Sequence, residues 1–208
     1  MDIIAVVGFS GSGKDTFSDH LVKNHGYKKI AFSDKLKDIV SLLFNWDRQA
    51  LSGTTLEGRK WRENVDHHWT KLLKDSPLFY NKQIAPENNE ENNDVKVDIT
   101  PRLILQKFGT ELFRDKVHQY FWVYCLISSL EPGNKYVISD CRFLQEANTL
   151  KDMGCKIFRI IRDSATPSPD QLENLHISEK EHLLIKEDYV LTNNNTMDEL
   201  YKQIDLLF

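Results

Sequence analysis

The sequence predicts an α/β protein, a parallel sheet of about five strands with helices on both faces. Two observations carry that prediction. Apolar runs of strand length alternate with longer segments whose apolar residues recur at helical spacing. A glycine-rich loop joins the first run to the first helix, a join that open parallel sheets use at their ligand-binding edge. With 208 residues, 40% hydrophobic and 28% charged, the chain suits one large domain and excludes wholesale disorder. No internal repeat is visible.

Each element has a local cause. Ile3 to Val7 is an apolar run of strand length, followed by GFSGSGKDT and by Phe17, Leu21 and Val22 at helical spacing, with Gly26 as the stop. Lys28 to Phe32 fits a second strand, after which Ser33 caps a helix carrying Leu36, Ile39, Val40, Leu43 and Phe44 on one face. Residues 45–75 are polar and aromatic, with helical spacing in LEGRKWREN. The Asn/Glu-rich stretch 87–94 has no apolar residue to pin it to a core and is expected to be a mobile surface loop. Thr100 and Pro101 open a helix through Leu103, Ile104, Phe108, Leu112 and Phe113, with Gly109 as a candidate break, and a second helical pattern spans Val117 to Leu130. Tyr136 to Ser139 then reads as a strand, Phe143 to Met153 as a helix stopped by Gly154, and Cys155 to Ile161 as a strand. Residues 163–174 read as a loop because of their prolines and polar residues; Tyr189 to Leu191 is the last strand and Met197 to Leu207 the last helix. The expected organisation is a single domain, 1–208, with 45–131 as a helical insertion.

Charge and composition narrow the function classes. Lys plus Arg number 27 and Asp plus Glu 31, a net charge of −4 without a long basic stripe, so polymeric nucleic acid is not an expected partner. No apolar run is long enough to span a membrane, and the N-terminus lacks the marks of a secretory leader, so a cytoplasmic protein without membrane partners is expected. Cys125, Cys141 and Cys155 form no CxxC pair and are odd in number, which suits reduced, mostly buried thiols. No His/Cys spacing supports a bound zinc.

The chemistry is announced by Gly8, Gly13 and Lys14, which satisfy GxxxxGK directly after the first strand. In such a P-loop the backbone N–H groups of residues such as Gly8, Ser10, Gly11, Ser12 and Gly13 surround phosphate oxygens, the helix N-terminus faces them, and the lysine neutralises the β and γ phosphates. ATP is the expected ligand. The position after the lysine is Asp15 rather than Ser or Thr, and Thr16 follows, so the usual hydroxyl ligand for magnesium is displaced by one residue. Asp15 is open to two roles, reaching a magnesium-bound water or favouring the helix N-terminus. Small nucleotide kinases resemble this pattern, commonly reading GSGKGT. No NKxD guanine motif is present, which disfavours a GTPase switch.

Across nearly its full length the chain resembles the deoxynucleoside monophosphate kinases of tailed bacteriophages, through GSGKDT, FSDKLK, PRLILQKFGTE, the strand VISDCR, HISE and TNNNTMDEL. The resemblance implies a P-loop NTPase-like fold in which 45–131 is a helical acceptor-binding insertion and 163–179 a lid-like loop. It implies transfer of the γ-phosphoryl group of ATP, with Mg2+, to a small-molecule deoxynucleoside 5′-monophosphate, giving the diphosphate and ADP. If the source is viral, the cytoplasm is the host's. Two other readings stay open: a P-loop kinase of another phosphorylated acceptor, phosphomevalonate or dephospho-coenzyme A, and a nucleotide-binding module without transfer. A monomer and a homodimer are both compatible with the residues.

Within that frame the polar residues near strand ends acquire roles. Asp140 and Arg142 lie at the carboxyl end of a predicted strand, which can aim a guanidinium at phosphate and a carboxylate at the magnesium shell or acceptor; helix capping is the alternative for Asp140. The resemblance places Asp34 and Lys37 at the monophosphate site, with capping again an alternative for Asp34, and gives Arg102 the acceptor phosphate, Gln106 one turn later reaching the base. Arg162, at the start of the proline-containing loop, resembles a lid arginine. Strand alternation separates it from Arg159, which shares a face with Ile161. His176 and Glu179 match the family's HxSE block and are assigned to substrate. Asn193 and Asn194 follow the last strand, where the corresponding kinase loop passes the adenine; turn formation explains them better residue by residue. Phe121, Trp122 and Tyr124 are expected in the core rather than as base platforms.

Overall fold

The computed structural model describes residues 2–79 and 97–208, so the stretch 87–94 lies outside the described residues. The chain runs β1 (Asp2–Val7), α1 (Lys14–His25), β2 (Lys28–Ile30), α2 (Ser33–Phe44), α3 (Arg48–Ser52), α4 (Leu56–Trp61) and α5 (His67–Leu72). Next comes α6 (Pro101–Gln106), which passes into a wider i→i+5 winding over Lys107–Val117. Then follow α7 (Phe121–Ile127), β3 (Lys135–Ile138), α8 (Leu144–Asp152), β4 (Lys156–Ile161), α9 (Pro169–Asn174), α10 (Ile177–Lys180), β5 (Tyr189–Thr192) and α11 (Met197–Asp205). Two compact units divide the chain: Met1–Asp34 with His118–Phe208, and Lys35–Val117.

The first unit is built on the five expected strands, all parallel, in the order β2-β3-β1-β4-β5. Every residue of β1 from Ile3 to Val7 is buried, as a strand covered on both faces must be. Ile4 and Val6 pack with Phe17 and Leu21 of α1, Phe158 and Ile160 of β4, and Leu200 and Ile204 of α11. The alternate strand residues face the opposite side, where α8 covers β1 and β4 with Ala147 and Leu150 buried. Cys141 and Cys155 are buried free thiols and Cys125 is partly buried. Trp122 joins the core, whereas Tyr124 is exposed.

Three local readings change. The second strand stops at Ile30 because the next amides leave the ladder: Ala31 N–H goes to Asp34 Oδ2 at 2.8 Å and Phe32 N–H to Asp140 Oδ1 at 2.7 Å. Gly109 does not break the helix it lies in; its missing Cβ makes room for Leu36, whose Cδ2 would lie 2.8 Å from an added methyl. Residues 163–174 are not wholly loop, since Pro169 begins α9 at its first turn, where proline's missing N–H costs nothing, and Ser168 and Gln171 cap it reciprocally.

The second unit has its own aromatic core. Phe44 stacks on Trp46 at 4.6 Å and meets Trp69 and Phe108 edge-on, around the fully buried Leu51, Ile99 and Ile104. Asp66 links this core to helix geometry, accepting from Trp46 Nε1 at 2.9 Å while capping α5 through Trp69 N–H at 3.0 Å. Among the described residues, no helix is long and apolar enough to cross a membrane.

Candidate active site

The crossover from β1 leads to β2 on one side of the sheet and that from its neighbour β3 leads to β4 on the other, so the adjacent carboxyl ends of β1 and β3 open a crevice that loops can line. The glycine loop occupies that position. Gly8 has φ +143°, and a Cβ there would lie 2.5 Å from the carbonyl oxygen of Ile160 in β4. Gly13, the N-cap of α1, has φ +108°, with the amide of Asn193 2.4 Å from where its Cβ would be. Both demand a backbone that L side chains rarely adopt, in a place without room for one. Gly8→Ala is expected to destabilise the protein by about 3 kcal/mol or more, a fall in Tm of roughly 6–12 °C, which thermal unfolding will measure. An unchanged Tm would show that the loop can relax away from Ile160.

Lys14 opens α1 and curls back across the loop, its Nζ donating to the carbonyls of Gly8 at 2.8 Å and Phe9 at 2.7 Å. Burial, with the Arg142 guanidinium beside it, brings the ammonium down to about 8; Asp15, Asp140 and Glu179 oppose that fall. These residues, far apart in sequence, therefore share one electrostatic neighbourhood. The Ser12 hydroxyl is buried and has no hydrogen-bond partner among the described residues. A buried hydroxyl donor, a glycine backbone too close-packed for side chains and a lysine at the start of a twelve-residue helix are suited to phosphate oxygens.

The loop after β3 is pinned at both ends. Asp140 accepts from Phe32 N–H through Oδ1 and from Ser33 N–H through Oδ2, at 2.7 and 3.0 Å. It thus caps the entrance to α2, not its own following helix. Glu146 Oε2 accepts from the amides of Arg142 at 2.8 Å and Phe143 at 3.0 Å, fixing the backbone that carries the exposed Arg142 side chain. Burial pushes the Glu146 carboxyl up to about 8; the Asp140 charge adds to the rise, against the two amide bonds and Arg142. The folded state therefore keeps a proton that an unfolded glutamate releases near its ordinary value of 4.5. That contribution to stability is present below about pH 4.5 and lost as pH rises through about 8. Glu146→Gln keeps an acceptor for both amides and cannot titrate. Urea unfolding from pH 5 to 8 should show wild type losing roughly 2–4 kcal/mol relative to this variant; parallel curves would mean that Glu146 is ionised throughout.

On the other side of the loop, Arg159 is nearly buried and committed to structure. Its guanidinium pairs with Glu187 at 2.9 Å and donates to the carbonyls of His182 and Ile185. The ring of His182 meets Phe9 of the glycine loop edge-on at 4.7 Å. Burial, with Arg159, Lys14 and Arg142 adding to it, holds this imidazole down to about 4, so it is neutral at physiological pH. Arg162 is exposed at the end of β4, and Asn194 ties the next residue down, bonding Asp163 through its backbone N–H and its carboxylate. Asn193 Nδ2 donates to the Ser12 carbonyl at 2.9 Å, bracing the glycine loop. Asp15 pairs with Lys29 at 2.9 Å on the outer side of α1, and Asp34 turns back on Ala31.

A sequence profile of the deoxynucleotide monophosphate kinase family matches residues 70–204, about two thirds of the chain. The chain belongs to this kinase family. Three relatives align over nearly the whole chain. The deoxynucleotide monophosphate kinase of Escherichia phage RB69 is 23% identical, covering 99% of this chain and 98% of that protein. That of Enterobacteria phage T4 is 22% identical, with 98% and 97% covered. A protein of Acanthamoeba polyphaga mimivirus assigned to the same class is 28% identical over 98% of this chain and 94% of its own length. This kinase is thus a phosphotransferase of nucleotide monophosphates with ATP as phosphate donor. Neither the other small-acceptor kinases nor a module without transfer is favoured by that match.

In the second unit of the kinase, Arg102 is the second residue of α6, after the Thr100 cap and Pro101, with Thr100 Oγ1 accepting from Leu103 N–H at 3.1 Å. Its side chain is exposed and pairs with Glu63 at 3.3 Å. Gln106 ends the same helix, and Lys37 lies in the second turn of α2; both are half-buried. His176 lies just before α10, its carbonyl accepting from Glu179 N–H at 2.8 Å. Two residues of the site were not read from the sequence. Glu146 stood in a legible place, three residues beyond the Phe143 N-cap of α8, where a glutamate reaches back to amides. His182 carried no local signal, because only folding brings it to Phe9.

Proposed function

We propose that the first unit holds the triphosphate of ATP and that its γ-phosphoryl group passes to the 5′-phosphate of a deoxynucleoside monophosphate. The observation that carries this reading is the apposition of Lys14 and Arg142 at a glycine loop after β1. Burial lowers Lys14 and the neighbouring Arg142 charge lowers it further, and an arriving polyanion relieves the repulsion between the two cations. The charge that develops on the equatorial phosphoryl oxygens then finds donors already in place. Lys14 neutralises the β and γ phosphates while the backbone of Gly8 to Gly13 cradles them; Arg142 and, immediately before the lid-like loop 163–179, Arg162 stabilise the transferring group.

Mg2+, when bound, neutralises charge between the donor phosphates. Thr16 and Asp140 are the residues to hold it, directly or through water, with Asp140 retaining lone pairs beyond its two amide bonds. Asp15, paired with Lys29, acts on the site through its charge. On the acceptor side, Arg102 and Lys37 grip the 5′-phosphate, Gln106 reads the base, and Asp34, His176 and Glu179 position the nucleotide. The residues of 45–131 form the acceptor-binding part of the chain. Asn193 and Asn194 shape the donor site from behind the loop. The viral and phage sources of the relatives support action in a host cytoplasm.

The direct test is a coupled ADP-release assay with ATP, Mg2+ and each of dAMP, dGMP, dCMP, dTMP and their ribose counterparts, with products separated by chromatography. Deoxynucleoside diphosphate formation is expected with at least one acceptor. Silence across all of them would falsify the acceptor assignment.

A further inference from the structure

One cluster of side chains serves neither the phosphate loop nor the acceptor residues. His20 and His25 on α1 and Asp205 on α11 converge although they lie at opposite ends of the sequence. Both imidazole Nε2 atoms address one oxygen, Asp205 Oδ1, at 2.7 Å from His20 and 2.9 Å from His25. The three potential ligand atoms all lie within 4.8 Å of one another. His25 ends the helix that Lys14 begins, about 16 Å along its axis at 1.5 Å per residue.

We propose that His20, His25 and Asp205 form a binding site for a zinc-class transition-metal ion, which would staple the end of α11 to α1. Two imidazoles and one carboxylate are the donor types of three-ligand zinc sites, in which water takes the fourth tetrahedral position. The same set disfavours magnesium and calcium, which take oxygen ligands. Bonds of about 2.0–2.1 Å to the ligand atoms separate tetrahedral ligands by about 3.3 Å. Each N···O contact therefore has to open by about half an ångström from its present 2.7 or 2.9 Å, within the reach of side-chain rotation.

The surroundings fit the same ion. Tyr201 stacks on His20 at 4.4 Å with the planes 14° apart, and Phe208 lies 5.5 Å from His25, so aromatic walls hold both rings. Asn24 Nδ2 is 3.0 Å from His20 Nδ1. When Nε2 gives up its proton to bind metal, Nδ1 carries one, and a reversed Asn24 amide offers the oxygen to accept it. Hydrogen bonds from His20 and His25 lower the Asp205 carboxyl, which keeps it an anion. The His20 side chain is 8% exposed and that of Asp205 53%, so the ion has a solvent route to ligands that are otherwise enclosed.

The test uses the untagged full chain, stripped with chelator and dialysed, titrated with ZnCl2 in a calorimeter and with CoCl2 in a spectrophotometer, without nucleotide. Expected are one ion per chain with a Kd of roughly 1 µM or tighter, the intense visible bands of tetrahedral cobalt, and a rise in Tm of about 5 °C at saturating zinc. His20→Ala and His25→Ala should each weaken binding by about 100-fold or more, and Asp205→Asn, which keeps the hydrogen-bond acceptor but not the charge, by about 10-fold or more. His67→Ala with His68→Ala should leave it unchanged. Should the alanine variants not fold, zinc-induced shifts of the His20 and His25 imidazole resonances in wild type decide the matter. No stoichiometric uptake, uptake that survives loss of both histidines, or resonance shifts confined to other histidines would overturn the site and leave the cluster as a hydrogen-bonded tether.

Discussion

Lys14→Ala is expected to lower kcat by about 10²–10³-fold, the scale on which a single donor to developing charge acts, while Tm moves by only a few degrees. The two expectations have one cause. The ammonium is mostly desolvated and has an Arg142 neighbour, so in the free protein its charge is held at a cost that its two carbonyl hydrogen bonds offset only in part. Truncation removes the cost along with the bonds. What is lost is the charge that meets the phosphates, and rate, not folding, reports it. The same shift predicts a pH signature. For the free enzyme kcat/KM should fall as pH rises through about 8, where Lys14 loses its proton. The alkaline limb of kcat should lie higher, because bound phosphates favour the charged form. Steady-state rates from pH 6 to 10 on wild type and variant measure both. A near-normal kcat for Lys14→Ala would remove the lysine from the mechanism.

Arg142→Ala is expected to cost about 10³-fold in kcat or more, as arginines on transferring phosphoryl groups do. Its guanidinium is exposed while its amide is held by Glu146, so the loop keeps its backbone path when the side chain goes. A second effect separates this role from a merely structural one. The Arg142 charge is, after burial, the next largest cause of the lowered Lys14. Its removal should therefore move the alkaline limb of kcat/KM upward. Arg142→Lys keeps the charge and loses the planar fork that grips two phosphate oxygens at once, so it should lose rate without moving the limb. If the alanine and lysine variants titrate identically, Lys14 and Arg142 are not electrostatic neighbours in solution.

The parts of the protein legible in its sequence are those set by short-range rules. Ile3 to Val7, Cys155 to Ile161 and the other apolar runs became strands because only a buried sheet accommodates such runs between polar turns. GxxxxGK directly after the first run located the glycine loop because positive-φ backbone at Gly8 and Gly13 requires glycine wherever it occurs. Thr100 and Pro101 began a helix for equally local reasons. Errors came where a local signal had a distant competitor. The Lys28 to Phe32 strand was cut short by carboxylates from Asp34 and Asp140, the second of them more than a hundred residues away. Prolines that read as loop at 163–174 lay partly at a helix start.

The sequence by itself determined the fold class and the glycine loop, since periodicity and glycine geometry are properties of neighbouring residues, and its ordered blocks pointed to the kinase family by resemblance. Only the tertiary structure decided which polar groups act together. Asp140 caps α2 across the sheet; Glu146 holds the amide of Arg142; His182 lies against Phe9; and His20, His25 and Asp205 meet at one oxygen. Burial and proximity set the charge state of Lys14 and Glu146, and both are functions of distance in space, which strand order and helix docking fix and chain position does not.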